Sequence, residues 1–177
     1  MAAVFLDLDL SKEAAVKIAI GCTRRGFGGK QEIVSHLRRL SHEVEDIGCH
    51  DLSAKVDHCD LARLLTVALG RINGQLAILI GRDGAGMCIA ANKLRGLRAA
   101  VADDELTAAY IRERYQCNVL CLGADQHGRG EMSRIVASFL GASVASCRDA
   151  HVIEELMQIE GCKDACGFAC SSRFAQA

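Results

Sequence analysis

The stretch Leu76-Ala-Ile-Leu-Ile-Gly-Arg-Asp-Gly-Ala-Gly-Met-Cys-Ile-Ala-Ala-Asn-Lys93 determines which fold this sequence can adopt. Its first five residues form a continuous apolar run, which is typical of a parallel strand covered on both faces. The run leads directly into a glycine-rich loop over 81–86, and a helix is predicted over 87–93. Glycines allow a ligand to approach the backbone closely, and amides at a helix start attract phosphate. We therefore predict a strand, an anion-binding loop and a helix in this order.

The glycine spacing in this loop excludes two common nucleotide-binding motifs. No glycine at position 83 accompanies Gly81, as G-x-G-x-x-G requires, and no Gly-Lys-Ser/Thr follows, as a P-loop requires. A tight strand-to-helix turn that binds no ligand is the alternative interpretation. An unrelated nucleotide-binding module is a third one, and its acidic ribose contact would have to be Asp46.

Short strands and amphipathic helices alternate on both sides of this stretch. Strands are predicted over 16–20, 43–48, 76–80, 97–101 and 118–122, and helices over 30–40, 60–69, 87–93, 104–115, 131–140 and 149–158. Alternating elements joined by short turns predict an α/β fold, with a parallel sheet and helices on both faces. Ligands of such sheets bind beyond the carboxyl ends of the strands.

Composition excludes several classes of function. The 177 residues include 21 Lys+Arg and 22 Asp+Glu, which gives a net charge of −1, and only 4% of the residues are aromatic. We therefore expect no nucleic-acid partner. The apolar runs are too short for a membrane span and the first 13 residues do not resemble a secretory signal, so we expect no membrane partner and a cytoplasmic location. We divide the chain into an N-terminal extension (1–15), an α/β domain (16–160) and a cysteine-rich tail (161–177).

Ten cysteines are many for a chain of this size. Several lie inside apolar runs, so we interpret them as small hydrophobic residues of a reduced protein. In the tail, Cys162, Cys166 and Cys170 recur every four residues and would share one face of a helix, where His151 could join them. Zinc sites use more closely spaced cysteine pairs, so we predict a packing stripe and no metal.

The segments Gly84-Ala-Gly-Met-Cys-Ile-Ala-Ala-Asn-Lys93 and Gly96-Leu-Arg-Ala-Ala100 resemble the signature of the type B ribose-5-phosphate isomerase family, which includes the subunits of galactose-6-phosphate isomerase. The resemblance continues in order along the chain and covers about residues 16–140. It also includes the segments Lys17-Ile-Ala-Ile-Gly21, Val56-Asp57, Arg112-Glu113, Asn118-Val119 and Leu122-Gly-Ala124.

The resemblance implies a Rossmann-like, three-layer α/β/α fold with a five-stranded parallel sheet. It implies a homodimer with active sites at the subunit interface, or a heteromer with a paralogue. The reaction implied is aldose–ketose interconversion of a sugar phosphate, without metal or cofactor. A base moves a proton between C1 and C2 through an enediolate, donors stabilise the oxyanion, and a histidine assists ring opening.

The chain departs from the family pattern at positions that transfer protons. Gly81 stands where many members have the catalytic cysteine, and Met87 where a subgroup has a glutamate. Thr23 and Arg24 replace an Asp-His pair, and Asp83 replaces the loop threonine or serine. Two explanations stay open. The chain is an isomerase with rearranged catalytic groups, or it is a silent paralogue that binds a phosphosugar or accompanies an active subunit.

Candidate site residues follow from the loop and from the resemblance. Asp83 is the candidate base, with a turn-forming role as its alternative. Cys88, which could also be packed core, and His58 are further candidates for proton transfer. The candidates for binding the substrate and its phosphate are Gly84, Ala85, Gly86, Asn92, Arg24 and Arg148.

Overall fold

The computed structural model describes residues 15–53, 55–72, 76–128, 130–144 and 150–162. Five strands alternate with helices along the chain. The strands are β1 (Lys17–Cys22), β2 (Glu43–Gly48), β3 (Leu76–Gly81), β4 (Ala99–Val101) and β5 (Val119–Gly123). The helices are α1 (Phe27–Arg39), α2 (His58–Ile72), α3 (Ala85–Ala91), α4 (Glu105–Tyr115), α5 (Glu131–Gly141) and α6 (Ala150–Cys162), and a 3₁₀ turn (Arg24–Gly26) precedes α1.

The strands form one sheet in the order β2-β1-β3-β5-β4, with every pair parallel. Successive side chains of β1 and β3 point to opposite faces, as the pleat requires. On one face Ile18 and Ile78 pack with α1, α4 and α5. On the other face Ala19 and Leu79 pack with α2 and α3. The three-layer α/β fold with a five-stranded parallel sheet is therefore confirmed.

The helix boundaries differ from the prediction where glycines occur. Helix α1 begins at Phe27 and runs through Gly28 and Gly29, whereas the prediction began at 30. The 3₁₀ turn over Arg24–Gly26 leads directly into the helix and offsets the low helix propensity of glycine. Helix α3 spans Ala85–Ala91 rather than 87–93, because Gly84 adopts a left-handed conformation immediately before it.

The two core clusters also contain four of the cysteines. Cys22, Cys49, Cys117 and Cys121 are buried and unpaired, as expected for cysteine used as a small hydrophobic residue. Within the described ranges, no helix has both the length and the hydropathy that a membrane span requires. Residues 1–14 and 163–177, with most of the predicted extension and tail, lie outside the described residues.

Candidate functional site

Three loops meet at the carboxyl edge of the sheet and are tied together by main-chain hydrogen bonds. The amide of Thr23, after β1, donates to the carbonyl of Ile80 at 3.0 Å. The amide of Ala124, after β5, donates to the carbonyl of Gly81 at 2.7 Å, and the amide of Asp125 donates to that of Arg82 at 3.1 Å. The glycine-rich loop therefore lies between the ends of β1 and β5, at the edge where the fold predicts a ligand.

Asp83 has a structural role in this loop. Its Oδ1 accepts a hydrogen bond from the amide of Ala85 at 3.0 Å, and Gly84 adopts a φ of 75° between them. The amide of Ala85 is thus bound by a side chain of the loop itself. That it holds phosphate stays a prediction. The Asp83 side chain is 54% exposed, with Oδ2 3.9 Å from Nε of Arg82, so one carboxylate oxygen still faces the open edge.

Gly81 and Met87 are sterically coupled. A Cβ atom added to Gly81 would lie 2.9 Å from Cε of Met87. Met87 is buried, so its methyl group fills the space that a side chain at position 81 would need. Gly81 and Met87 therefore form one packing arrangement, in which the glycine accommodates the methionine.

We expect Gly81→Ala to lower the free energy of unfolding by at most about 1 kcal/mol, because the added methyl group meets the flexible end of the Met87 side chain. In the Met87→Ala background the same change should cost much less, since the space is then empty. Urea unfolding of the two single variants and the double variant measures this coupling. Additive effects would contradict the packing arrangement.

His58 lies against the glycine-rich loop. A Cβ atom added to Gly86 would lie 3.4 Å from Cγ of His58, so the imidazole covers this glycine. Asp57 positions the start of α2 by accepting hydrogen bonds from the amides of Cys59 (2.8 Å) and Asp60 (2.9 Å). The amide of Asp60, followed by that of Cys59, holds the pKa of Asp57 below its ordinary value. The structure thus brings the predicted residues His58 and Asp83 to the same loop.

Cys88 is directed away from the loop. Its Sγ lies 3.3 Å from the carbonyl of Ala99 on β4 and 3.5 Å from Nδ2 of Asn92. A hydrogen bond from the thiol of Cys121, on β5, lowers the pKa of Cys88 to about 7 although burial opposes this. The same hydrogen bond, with burial, raises the pKa of Cys121 well above its ordinary value. The prediction that Cys88 faces the substrate is therefore not supported by the direction of its side chain.

We expect Cys88 to be alkylated by iodoacetamide with a midpoint near pH 7, because the thiolate is the reactive form. Cys117, whose pKa is raised to about 11 chiefly by burial, is the internal comparison. The Cys121→Ala variant should shift the midpoint for Cys88 upwards. Peptide mass spectrometry across pH 5–10, a range chosen about the ordinary pKa of cysteine, measures both residues. Equal labelling of Cys88 and Cys117 at pH 7 would contradict the assignment.

Asn92 was predicted to bind substrate, but its polar atoms are committed to the fold. Nδ2 donates to the carbonyl of Ala99 at 2.8 Å, and Oδ1 accepts from the amide of the same residue at 2.9 Å. This pair of bonds ties the end of α3 to the start of β4. Asn92 thus fixes the end of α3, and its part in substrate binding stays a prediction.

Two arginines follow β1. Arg24 is exposed, and no hydrogen bond or ion pair joins its side chain to another described residue. The guanidinium of Arg25 binds the carboxylate of Asp125, with Nε 2.6 Å from Oδ1, and so connects the loops after β1 and β5. The Arg24 side chain is therefore accessible to an anion, and its binding of phosphate stays a prediction. Arg148 lies outside the described residues, so its role stays a prediction.

The sequence analysis did not single out His127. This residue follows β5, its side chain is 2% exposed, and it lies between Asp103 (3.7 Å) and Glu131 (3.8 Å). Its buried Nε2 has no hydrogen-bond partner. With Arg25, Gly28 and other residues it lines a cavity of about 630 Å³. The sequence feature that could have indicated His127 is its position just beyond the carboxyl end of a predicted strand, where ligands of parallel sheets bind.

The cavity and the glycine-rich loop share a wall, because Ala124 lines the cavity and also donates to the carbonyl of Gly81. Over the described ranges, no group of three or more histidine, cysteine or acidic residues could hold a metal ion. The arrangement offers a carboxylate, an imidazole, loop amides and an unpaired guanidinium. Such groups can bind an anionic ester and move a proton between adjacent carbon atoms.

The fold defines a Rossmann-like, three-layer α/β protein, and the candidate site lies at the carboxyl ends of its strands. The model of the Ribose/Galactose Isomerase family matches residues 18–156. The chain therefore belongs to this family. It is similar to the ribose-5-phosphate isomerase B of Escherichia coli strain K12, with 38% identity over 146 residues, which cover 81% of this chain and 96% of the relative.

Solved structures agree with this assignment. A ribose-5-phosphate isomerase B from Clostridium thermocellum has a TM-score of 0.78 and 32% identity, covering 84% of this chain and 99% of the other. One from Mycoplasma genitalium with bound ribulose-5-phosphate has a TM-score of 0.77 and 32% identity, covering the same shares of the two chains.

Proposed function

We propose that this protein is an aldose–ketose isomerase that acts on a phosphorylated sugar resembling ribose 5-phosphate. The relatives named above carry this activity in their names, and one of them binds the ketose product. The observation that carries the proposal is the meeting of Asp83 and His58 at the glycine-rich loop, at the carboxyl edge of the sheet.

Asp83 is proposed as the base that removes the proton from C2 of the aldose. Its Oδ2 carries no hydrogen bond from the loop amide that holds Oδ1, so it can face a substrate at the open edge. The electron pair of the broken C–H bond forms the enediolate, and the proton returns at C1 to give the ketose. His58 is proposed to exchange protons with the two sugar oxygens as their charges change.

The amides of Gly84, at the N-cap of α3, and of Gly86, in its first turn, are proposed to stabilise the developing oxyanion, since both follow Asp83 closely in the chain. Arg24 is proposed to bind the phosphate, together with Arg148. These assignments leave out Ala85, Cys88 and Asn92, whose polar atoms are engaged elsewhere. The rearranged site thus keeps one carboxylate and one imidazole in place of the family's proton-transfer groups.

We propose in addition that the protein forms a homodimer through the outer faces of α2 and α3. Leu64 and Val67 on α2 are 43% and 54% exposed, and Ile89 on α3 is 64% exposed. Apolar side chains on neighbouring helices are typical of a surface that a second copy covers. Light scattering should show that the native protein is a dimer and that the Ile89→Glu variant is a monomer. A monomeric native protein, or one that associates only with a paralogue, would contradict the proposed homodimer.

The cytoplasmic location stays a prediction.

The direct test of the activity is to incubate the protein with ribose 5-phosphate and to follow ribulose 5-phosphate by ³¹P NMR. Allose 6-phosphate and the four-carbon aldose erythrose 4-phosphate define the substrate range in the same assay. Formation of a ketose from at least one of them is expected. Binding of the sugar phosphates without conversion would overturn the proposal in favour of a silent paralogue.

A further inference from the structure

A second cavity, of about 380 Å³, lies at the opposite edge of the sheet. Its wall is formed where β4 and β5 begin, by Arg98 and Asn118, and where α4 ends, by Arg112 and Gln116. We call it the arginine cavity. The length of β5, at about 3.3 Å per residue, separates it from the glycine-rich loop. It is therefore distinct from the site described above.

The two guanidinium groups are held in place by backbone carbonyls. Nε and Nη2 of Arg98 donate to the carbonyl of Gln116 at 3.1 and 2.9 Å. Nη1 of Arg112 donates to the carbonyl of Cys117 at 3.0 Å, and its guanidinium lies 5.6 Å from the ring centre of Phe139. Each arginine has five N–H donors, so these bonds fix both groups and still leave donors for a ligand.

Among the described residues, the positive charges in this cavity have no counter-ion. Within the described ranges, neither Arg98 nor Arg112 forms an ion pair with a carboxylate. Burial and the charge of Arg98 lower the pKa of Arg112 from its ordinary value. Nε of Arg112 is buried and has no hydrogen-bond partner. Two like charges in a partly buried cavity repel one another, and an anion between them would remove this cost.

We propose that the arginine cavity binds a phosphate group, either as inorganic phosphate or as the phosphate of a small ester. Guanidinium groups in a fixed orientation are suited to such an anion, because two N–H donors can pair with two phosphate oxygens. The ligand would join the end of α4 to the loop between α3 and β4. No residue of this cavity belongs to the proposed catalytic machinery, so the two proposals can fail independently.

The first measurement is a titration of the full-length protein with inorganic phosphate by calorimetry. Native protein should bind it, and Arg112→Met should raise the Kd about 10- to 100-fold, as expected for the loss of a hydrogen bond to a charged group. The Arg98→Lys variant keeps the positive charge but loses the planar guanidinium group, so it should weaken phosphate binding less than Arg112→Met does. Both variants should retain the isomerase rate measured without phosphate. Equal affinities in all three proteins would overturn the proposal.

A second measurement does not depend on variants that fold. Crystals of the native protein soaked in selenate, an anomalously scattering analogue, should show an anion between Arg98 and Arg112. Selenate bound only at the carboxyl edge would overturn the proposal. Soaks with ribose 5-phosphate then separate the two sources, because an ester shows density for its sugar within the cavity and free phosphate does not.

A carboxylate of the chain itself is the competing occupant. Asp149 is the first acidic residue after Val144, which lines the cavity, and it lies in the segment that the structure does not describe. If phosphate binds only to the Asp149→Asn variant and not to the native protein, the cavity is filled by the chain and the proposal is wrong.

Discussion

The Asp83→Asn variant is expected to lower kcat/KM for ribose 5-phosphate by about 10²–10⁴-fold, the usual contribution of a general base. The reason is specific to the loop. An asparagine Oδ1 can still accept the hydrogen bond from the amide of Ala85, so the turn is kept while the proton acceptor is lost. Steady-state kinetics and a urea unfolding curve of the same preparation separate the loss of activity from a loss of fold.

The matched control is Asp83→Ala, which removes the acceptor and the turn bond together. It should lose as much activity as Asp83→Asn and additionally some stability. A His58→Gln variant should lower kcat less than Asp83→Asn, because it alters proton exchange at oxygen and leaves the carbon base in place. If Asp83→Asn keeps the native rate, Asp83 is only a turn residue and the base lies elsewhere on this edge.

The second large effect concerns stability. Asp46→Ala is expected to lower the free energy of unfolding by about 3–5 kcal/mol, since it leaves a buried ammonium group without its partner. Lys30 on α1 is completely buried, and its Nζ donates to the carboxylate of Asp46 and, at 2.6 Å, to the carbonyl of Cys49. Chemical denaturation near neutral pH measures the change.

The same strand supplies the control for Asp46. Glu43, also on β2, pairs with Lys17 at 3.5 Å, and both side chains are about half exposed. Glu43→Ala should change the stability by about 0–1 kcal/mol, as exposed ion pairs do. The double variant Lys30→Met with Asp46→Ala should recover most of the loss, because no buried charge is left unpaired. Equal effects at Asp46 and Glu43 would show that Lys30 is solvated after all.

The sheet was predictable because its central strands are apolar on both faces. The run 76–80 has no polar residue, and both faces of β3 are buried in the structure. The start of α1 was less predictable, since Gly28 and Gly29 weaken the helical pattern that the preceding 3₁₀ turn nevertheless extends. Helix propensity depends only on the local sequence. The 3₁₀ turn, in contrast, is positioned by the hydrogen bond from the amide of Thr23 to the carbonyl of Ile80 at the end of β3.

The candidate site was predictable only where chain order brings residues together. Asp83, Gly84 and Gly86 belong to one loop, so their proximity follows from the sequence. Other features depend on side-chain rotamers and on strands that are distant in the chain. They are the direction of the Cys88 thiol towards β4, the hydrogen bond from the Ala85 amide to Asp83 and the packing of Met87 against Gly81. His127 was missed because neither periodicity nor the family signature marks it.

This chain is expected to transfer a proton within a sugar phosphate although it lacks the base expected from the resemblance. ¹H NMR of ribose 5-phosphate incubated with the protein in D₂O measures this transfer. Because the proton on Asp83 can exchange with solvent before it returns, deuterium should be incorporated at C1 of the ketose and, as the reaction reverses, at C2 of the aldose, and both signals should disappear in Asp83→Asn. Native, phosphate-free protein that gives neither ketose nor deuterated sugar after prolonged incubation would rule out proton transfer by this chain.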